Sequence, residues 1–121
     1  MLQSLQAGGG RATITPPVGI YQIGFTRKSG SRTIHDDLYA TALVVGNGQN
    51  RAALVSCDLL FLHPEVIGKI RADVASRTSI PAENIMFCAI HTHSGPIVYA
   101  LPDSDEREKG YVADLVYQIS G

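Results

Sequence analysis

The sequence predicts an α/β fold: a mixed β-sheet with one hairpin and one β-α-β crossover, and helices packed on the sheet. Residues 38–45 are apolar on both alternating faces, as expected of a strand covered on both sides. Asn47-Gly48 separates this segment from another apolar run at 51–57 and is a strong hairpin signal, because both residues tolerate positive φ. A helical pattern over 64–77 then leads to an apolar run at 85–90, which predicts a strand parallel to 51–57.

The predicted order begins with a lead-in and one short strand. Residues 1–9 end in glycines and are expected to form a flexible lead-in, which leaves 10–121 as a single α/β domain. Residues 11–15 alternate enough for a strand, and the two prolines at 16–17 end it because proline cannot donate to a ladder. The glycine-containing segment 20–37 is expected to be a long loop.

Two helices are predicted. The first begins at His63-Pro64-Glu65, where proline suits the first helical position and glutamate suits the positive end of the helix dipole. It runs to about Arg77, and its apolar residues fall on one stripe at helical spacing: Val66, Ile67, Ile70 and Val74. The second helix is predicted over 110–120, after an acidic loop at 103–108.

Composition argues against nucleic-acid and membrane binding. The net charge is −1, only 17% of residues are charged, and no basic cluster is present. No stretch is long and apolar enough to span a bilayer, and the first residues lack the basic start and apolar core of a secretory signal. We therefore expect a cytoplasmic chain, unless its export signal lies outside this sequence. Cys57 and Cys88 are too few for a disulfide framework and are expected to be reduced thiols buried in strands.

A histidine pair is the strongest candidate for chemistry. His91 and His93 follow the apolar run at 85–90, and on a strand two side chains at this spacing point to the same face. Neutral imidazole is a common zinc ligand, so the pair could share an ion, or one ring could bind it while the other contacts a substrate. Gly95 and Pro96 then turn the chain away and leave room for a ligand. The alternative is a pair that only donates hydrogen bonds to nearby loops.

Three other residues are weaker candidates. Asp58 ends the strand predicted beside 85–90, so its carboxylate could orient the His91 imidazole, or it could cap a helix or a turn in the segment DLLFLHP. His35 could approach the same edge of the sheet and act beside the pair. His63 is expected to be a helix-start residue.

Five segments of the sequence, in their order and spacing, resemble the N-terminal part of proteins in the neutral/alkaline non-lysosomal ceramidase family. The resemblance extends from about Gly10 to Tyr117. Its most specific element is HTHSGP at 91–96, and GRATITPP is the second. The segments are GRATITPPVG, HDDLYATALVV, ALVSCDLL, IPAEN and AIHTHSGP.

The resemblance implies a zinc-dependent amide hydrolase that cleaves an N-acyl sphingoid base into a fatty acid and a free amine. By the same resemblance His91 is a zinc ligand, and His93 is a catalytic residue that contacts the substrate near the scissile amide. Ser94 and Gly95 are the candidate substrate-binding residues of the same segment. The substrate would be a lipid or another small-molecule amide.

The family's remaining zinc ligands, a second histidine, a glutamate and a tyrosine, lie far downstream and have no counterpart in this sequence. A catalytic zinc usually needs three protein ligands. The resemblance therefore implies the N-terminal fragment of a larger hydrolase, inactive alone. A second hypothesis is a non-catalytic domain that assembles into a homo-oligomer without a complete metal site. A barrel-type amidohydrolase fits less well, because that barrel needs roughly 200 residues or more.

Overall fold

The computed structural model describes residues 4–25, 29–99 and 102–121, which contain six strands and two α-helices. The strands are β1 (Gln6–Thr13), β2 (Gln22–Ile23), β3 (Tyr39–Gly46), β4 (Arg51–Cys57), β5 (Ile85–Ala89) and β6 (Gly95–Pro96). The helices are α1 (Pro64–Arg77) and α2 (Glu106–Ser120), and a short 3-10 helix spans Ala82–Asn84.

A four-stranded mixed sheet confirms the predicted fold class. Its strand order is β1-β3-β4-β5. The first two pairings are antiparallel, whereas β4 and β5 run parallel, with Ala53 opposite Ile85 and Cys57 opposite Ala89. Helix α1 forms the crossover between the parallel strands. The hairpin between β3 and β4 turns where predicted, with the Asn47 side chain accepting hydrogen bonds from two backbone amides and Gly48 at φ +90°.

Helix α1 has the predicted bounds, whereas α2 begins earlier than predicted. The His63 ring accepts a hydrogen bond from the backbone amide of Glu65, so it caps α1 as expected of a helix-start residue. The acidic segment 103–108, predicted to be a loop, supplies the cap of α2, because the Asp105 carboxylate accepts a hydrogen bond of 2.9 Å from the amide of Glu108. This hydrogen bond also lowers the pKa of Asp105.

The core lies between one face of the sheet and the two helices. Val55 and Cys57 of β4 pack there with Val74 of α1 and Leu115 of α2. Buried Tyr111 of α2 donates a hydrogen bond of 2.7 Å to the backbone oxygen of Ile14, just after β1. The second helix is thus attached to the sheet by apolar packing and by a buried hydrogen bond.

The opposite face of the sheet is an exposed apolar row formed by Leu43, Leu54 and Met86. Leu43 pairs with Leu54 across β3 and β4, and Leu54 pairs with Met86 across β4 and β5. All three side chains are exposed. Cys88 of β5 is exposed too, so the expectation that both cysteines are buried holds only for Cys57.

Two predictions for the amino-terminal half are wrong. Residues 6–9 are not a flexible lead-in, because they form the first half of β1 and pair with β3 up to Gly46. A ladder joins backbone groups, so a glycine run at a sheet edge can pair without side chains. Residues 1–3 lie outside the described residues, and a single domain over 10–121 stays a prediction.

The segment 20–37 is not purely a loop, because it contains β2. Ile23 of β2 pairs with Gly95 of β6, and the amide of Ile97 donates to the oxygen of Tyr21 at 3.1 Å. This two-stranded sheet ties the segment to the residues directly after the histidine pair. No described helix is long and apolar enough to cross a membrane.

Candidate functional site

The histidine pair lies just beyond the carboxyl end of β5. The strand ends at Ala89, and His91 has a φ of +68°, so the prediction that both histidines lie on a strand is wrong. Their rings still come together, with centroids 5.0 Å apart at an interplanar angle of 79°. A left-handed residue in a turn, rather than the alternation of a strand, therefore brings the two imidazoles side by side.

Backbone hydrogen bonds hold this turn against the end of β4. The amide of Ile90 donates to the oxygen of Cys57 at 3.1 Å, and the amide of His91 donates to the oxygen of Leu59 at 3.0 Å. Positive φ is uncommon for a residue other than glycine and persists where the surrounding structure fixes it. These two contacts fix the left-handed conformation of His91.

Each imidazole has its Nδ1 atom against a backbone carbonyl oxygen. Nδ1 of His91 lies 2.9 Å from the oxygen of Leu60, and Nδ1 of His93 lies 3.0 Å from the oxygen of Gly24. A carbonyl oxygen only accepts, so the neutral form of each ring has its proton on Nδ1 and its lone pair on Nε2. Metal-binding histidines usually have this pattern, with the second ring nitrogen donating to a carbonyl or a carboxylate.

The Asp58 carboxylate hydrogen-bonds to the backbone of β3 rather than capping a helix or turn in the segment that follows it. The carboxylate accepts a hydrogen bond of 2.9 Å from the amide of Tyr39, and the Asp58 amide donates to the oxygen of Tyr39 at 2.9 Å. Asp58 thus joins the end of β4 to the start of β3. The Nδ1 atom of His91 has the Leu60 oxygen as its partner instead.

A cleft of about 340 Å³ adjoins the histidine segment, and His35 and Ser94 both line it. Thr92, between the two histidines, lines it as well. The His35 side chain is 95% exposed, and its Nδ1 lies 2.6 Å from the Asp36 carboxylate. The hydrogen bond and charge of Asp36 raise the pKa of His35. The structure therefore places His35 at this cleft, where its ring hydrogen-bonds to Asp36.

Gly95 differs from Ser94 because it is buried in β6. A Cβ atom at Gly95 would lie 3.2 Å from the Cγ2 of Thr92 and 3.6 Å from the backbone oxygen of Asp58. Its small size lets the chain pass close to the end of β4. The predicted substrate-binding role of Gly95 stays a prediction.

Sequence reasoning missed two residues that contact His93. The oxygen of Gly24 bonds to its ring, and the Phe25 ring packs edge-on against it with centroids 5.1 Å apart. The contact with Gly24 joins residues 69 positions apart. The only local signal was a glycine in a loop next to an aromatic residue, which does not identify its partner.

The donor chemistry of the pair fits zinc, but it supplies only part of a site. Two neutral imidazoles with Nε2 lone pairs are suitable zinc ligands. Within the described residues no group of three or more His, Cys, Asp or Glu side chains could hold a metal ion. His91 and His93 would therefore contribute at most two of the three protein ligands that a catalytic zinc usually has.

The structure is similar to solved ceramidases. The neutral ceramidase from Pseudomonas aeruginosa matches with a TM-score of 0.79 and 26% sequence identity, over 96% of this chain and 20% of that chain. A ceramidase complexed with C2 matches with the same TM-score of 0.79 and 26% identity, also over 96% and 20% of the two chains. No family model and no curated protein sequence matches the chain. The resemblance to ceramidase is confirmed, and the chain spans about one fifth of the length of these structures.

Proposed function

From this likeness to neutral ceramidase, we propose that the chain is the N-terminal part of a zinc-dependent amide hydrolase that acts on an N-acyl sphingoid base. The observation that supports the proposal best is the pair of imidazoles with both Nδ1 atoms bound to carbonyl oxygens. This arrangement follows β5, within a fold that matches ceramidase over 96% of the chain.

His91 would hold the metal through Nε2. Its ring is fixed by the oxygen of Leu60, which keeps the lone pair on the nitrogen opposite. When bound, zinc supplies Lewis-acid polarisation of the amide carbonyl and lowers the pKa of water to about 7.

His93 would contact the substrate beside the scissile amide. With Nδ1 donating to Gly24, its neutral ring offers Nε2 as an acceptor. That atom can take a hydrogen bond or a proton from the reacting groups, and once protonated it can return the proton to the leaving amine. Ser94 lines the adjoining cleft, so its hydroxyl can bind a polar group of the substrate.

The remaining metal ligands would come from residues outside this sequence. The described residues contain no complete ligand group, and the matched ceramidase chains extend far beyond the matched fifth. We therefore expect the 121-residue chain to be inactive alone and the complete reading frame to encode the active enzyme.

Hydrolysis of an N-acyl sphingoid base by the product of the complete reading frame tests the proposal. We expect zinc-dependent release of fatty acid and amine that His91→Ala abolishes. His93→Ala should lower kcat by about 10²–10³-fold, the usual cost of removing one group that stabilises the transition state. His63→Asn is the matched control, because it removes a histidine but keeps a helix cap and should keep the wild-type rate. Full activity of both alanine variants, or no hydrolysis with zinc present, would contradict the proposal.

The exposed apolar row favours a second candidate function, a non-catalytic domain that forms a homo-oligomer. Contiguous apolar patches on a protein surface often mark an interaction site. Leu43, Leu54 and Met86 are neighbours across three strands and are all exposed. A stable oligomer of the product of the complete reading frame that binds no zinc would favour this candidate over the hydrolase.

A further inference from the structure

We propose that Gly24 is a positioning residue that fixes both the tautomer and the direction of the His93 ring. The inference rests on the proposed function only for the reaction that His93 would serve. The positioning of the His93 ring is inferred from the contact between the Gly24 oxygen and Nδ1 of His93 at 3.0 Å.

The small sheet of β2 and β6 brings these two residues together. Gly24 directly follows β2, and His93 precedes β6 by two residues. Because Ile23 pairs with Gly95, the strand ends that carry Gly24 and His93 lie at the same end of this sheet. The bond from the amide of Ile97 to the oxygen of Tyr21 extends the pairing beyond β6. The pairing of β2 with β6 therefore holds the Gly24 carbonyl against the His93 imidazole.

Only glycine fits at position 24. Its φ is +111°, a conformation that residues with a side chain rarely adopt. A Cβ atom there would lie 2.8 Å from the Cα of His93, 2.9 Å from its Cβ and 3.0 Å from its Cγ. The nearest of these atoms is backbone, so the clash cannot be relieved by a side-chain rotation alone. An alanine would push His93 away from the carbonyl that it needs.

The loss of this contact would change the chemistry of His93 as well as its position. The hydrogen bond made by one ring nitrogen decides which nitrogen carries the proton. Without the Gly24 oxygen, the hydrogen bond that favours a proton on Nδ1 is lost. His91 would keep its own tautomer, because its partner is the oxygen of Leu60.

Nitrogen NMR of the imidazole rings in the 121-residue chain, recorded at mildly alkaline pH, tests this proposal. We expect Nδ1 of His93 to resonate as a protonated nitrogen and Nε2 as an unprotonated one, with a scalar coupling from Nδ1 to the Gly24 carbonyl carbon. In Gly24→Ala the Nδ1–H form of His93 should fall from the major to the minor tautomer, while His91 is unchanged.

Gly48→Ala is the matched control. Gly48 also has a positive φ, of +90°, but a Cβ there would meet nothing within 4 Å. This variant carries the same kind of backbone strain at the hairpin and should leave the His93 tautomer as in the wild type. A folded Gly24→Ala with an unchanged tautomer would overturn the proposal.

The wild-type spectrum decides the matter even if Gly24→Ala does not fold. An Nε2–H tautomer at His93, or no coupling to the Gly24 carbonyl, would overturn the inference, and the coupling itself would support it. Positioning and function can fail separately. If His93 has the Nδ1–H tautomer but the protein hydrolyses no amide, only the proposed function is contradicted. If the protein is an active zinc enzyme but His93 has the Nε2–H tautomer, only the positioning role of Gly24 is contradicted.

Discussion

At the scale of single residues, the site depends on backbone atoms that the sequence does not reveal. The spacing of His91 and His93 correctly predicted that the rings lie together, but for the wrong reason, since His91 is in a left-handed turn. The oxygens of Leu60 and Gly24 fix the rings. Such contacts depend on the tertiary fold, because a carbonyl is present at every residue and no side-chain pattern marks the one that is used.

The buried thiol of Cys57 gives a prediction of how stability depends on pH. Burial, with smaller contributions from the charges of Asp58 and Cys88, raises the pKa of Cys57 to about 12. An unfolded cysteine ionises near pH 8.5, so above that pH only the unfolded state loses this proton. The contribution of the protonated Cys57 thiol to the free energy of unfolding is therefore fully present below about pH 8.5. It is lost as the pH rises toward 12, by up to about 1.4 kcal/mol per pH unit.

Urea unfolding between pH 8.5 and 10 measures this slope. Cys57→Ala should flatten it, whereas the exposed Cys88→Ala should retain it. Comparing slopes rather than absolute stabilities separates ionisation from the packing lost in the variant. Equal slopes in the wild type and Cys57→Ala would show that the thiol does not control this pH range.

At the scale of secondary-structure elements, the sequence correctly predicted the elements that local side-chain patterns mark. Helix α1, strand β4 and the hairpin have the expected bounds, since capping residues, apolar runs and an Asn-Gly turn are local signals. The start of β1 and the strand pair β2 and β6 were missed. These depend on backbone pairing with distant partners, where a glycine run or a Gly-Pro dipeptide gives no strand signal.

Helix α2 should be held mainly by its buried apolar residues. Leu115 is completely buried against the sheet, so Leu115→Ala removes apolar contacts and leaves a cavity. We expect the free energy of unfolding to fall by about 2–5 kcal/mol, measured by chemical denaturation. The exposed neighbour Asp114→Ala should change it by less than about 0.5 kcal/mol. A loss below about 1 kcal/mol for Leu115→Ala would indicate that α2 is not docked as described.

At the scale of the whole molecule, the sheet is covered by helices on one face and open on the other. Segment 38–45 is apolar on both faces, and the sequence alone predicted cover on both. The described residues of α1 and α2 pack on the inner face, while Leu43, Leu54 and Met86 remain exposed. The chain also spans only about one fifth of the ceramidases that it resembles.

The exposed row predicts that the 121-residue chain associates with itself at high concentration. Leu54 is central in the row, so Leu54→Lys should raise the dissociation constant measured by sedimentation equilibrium at least about tenfold, a cost of roughly 1.4 kcal/mol. Gln49→Lys adds the same charge at the exposed hairpin and should leave association unchanged. A wild-type chain that stays monomeric at every concentration would refute this prediction.

Metal analysis of the product of the complete reading frame, purified without chelating agents, addresses the histidine pair most directly. Our account predicts about one zinc per chain in the wild type and in His63→Asn, and none in His91→Ala. Zinc held equally well without the His91 imidazole, or no zinc in the wild type, would mean that the two rings beyond β5 do not form part of a metal centre.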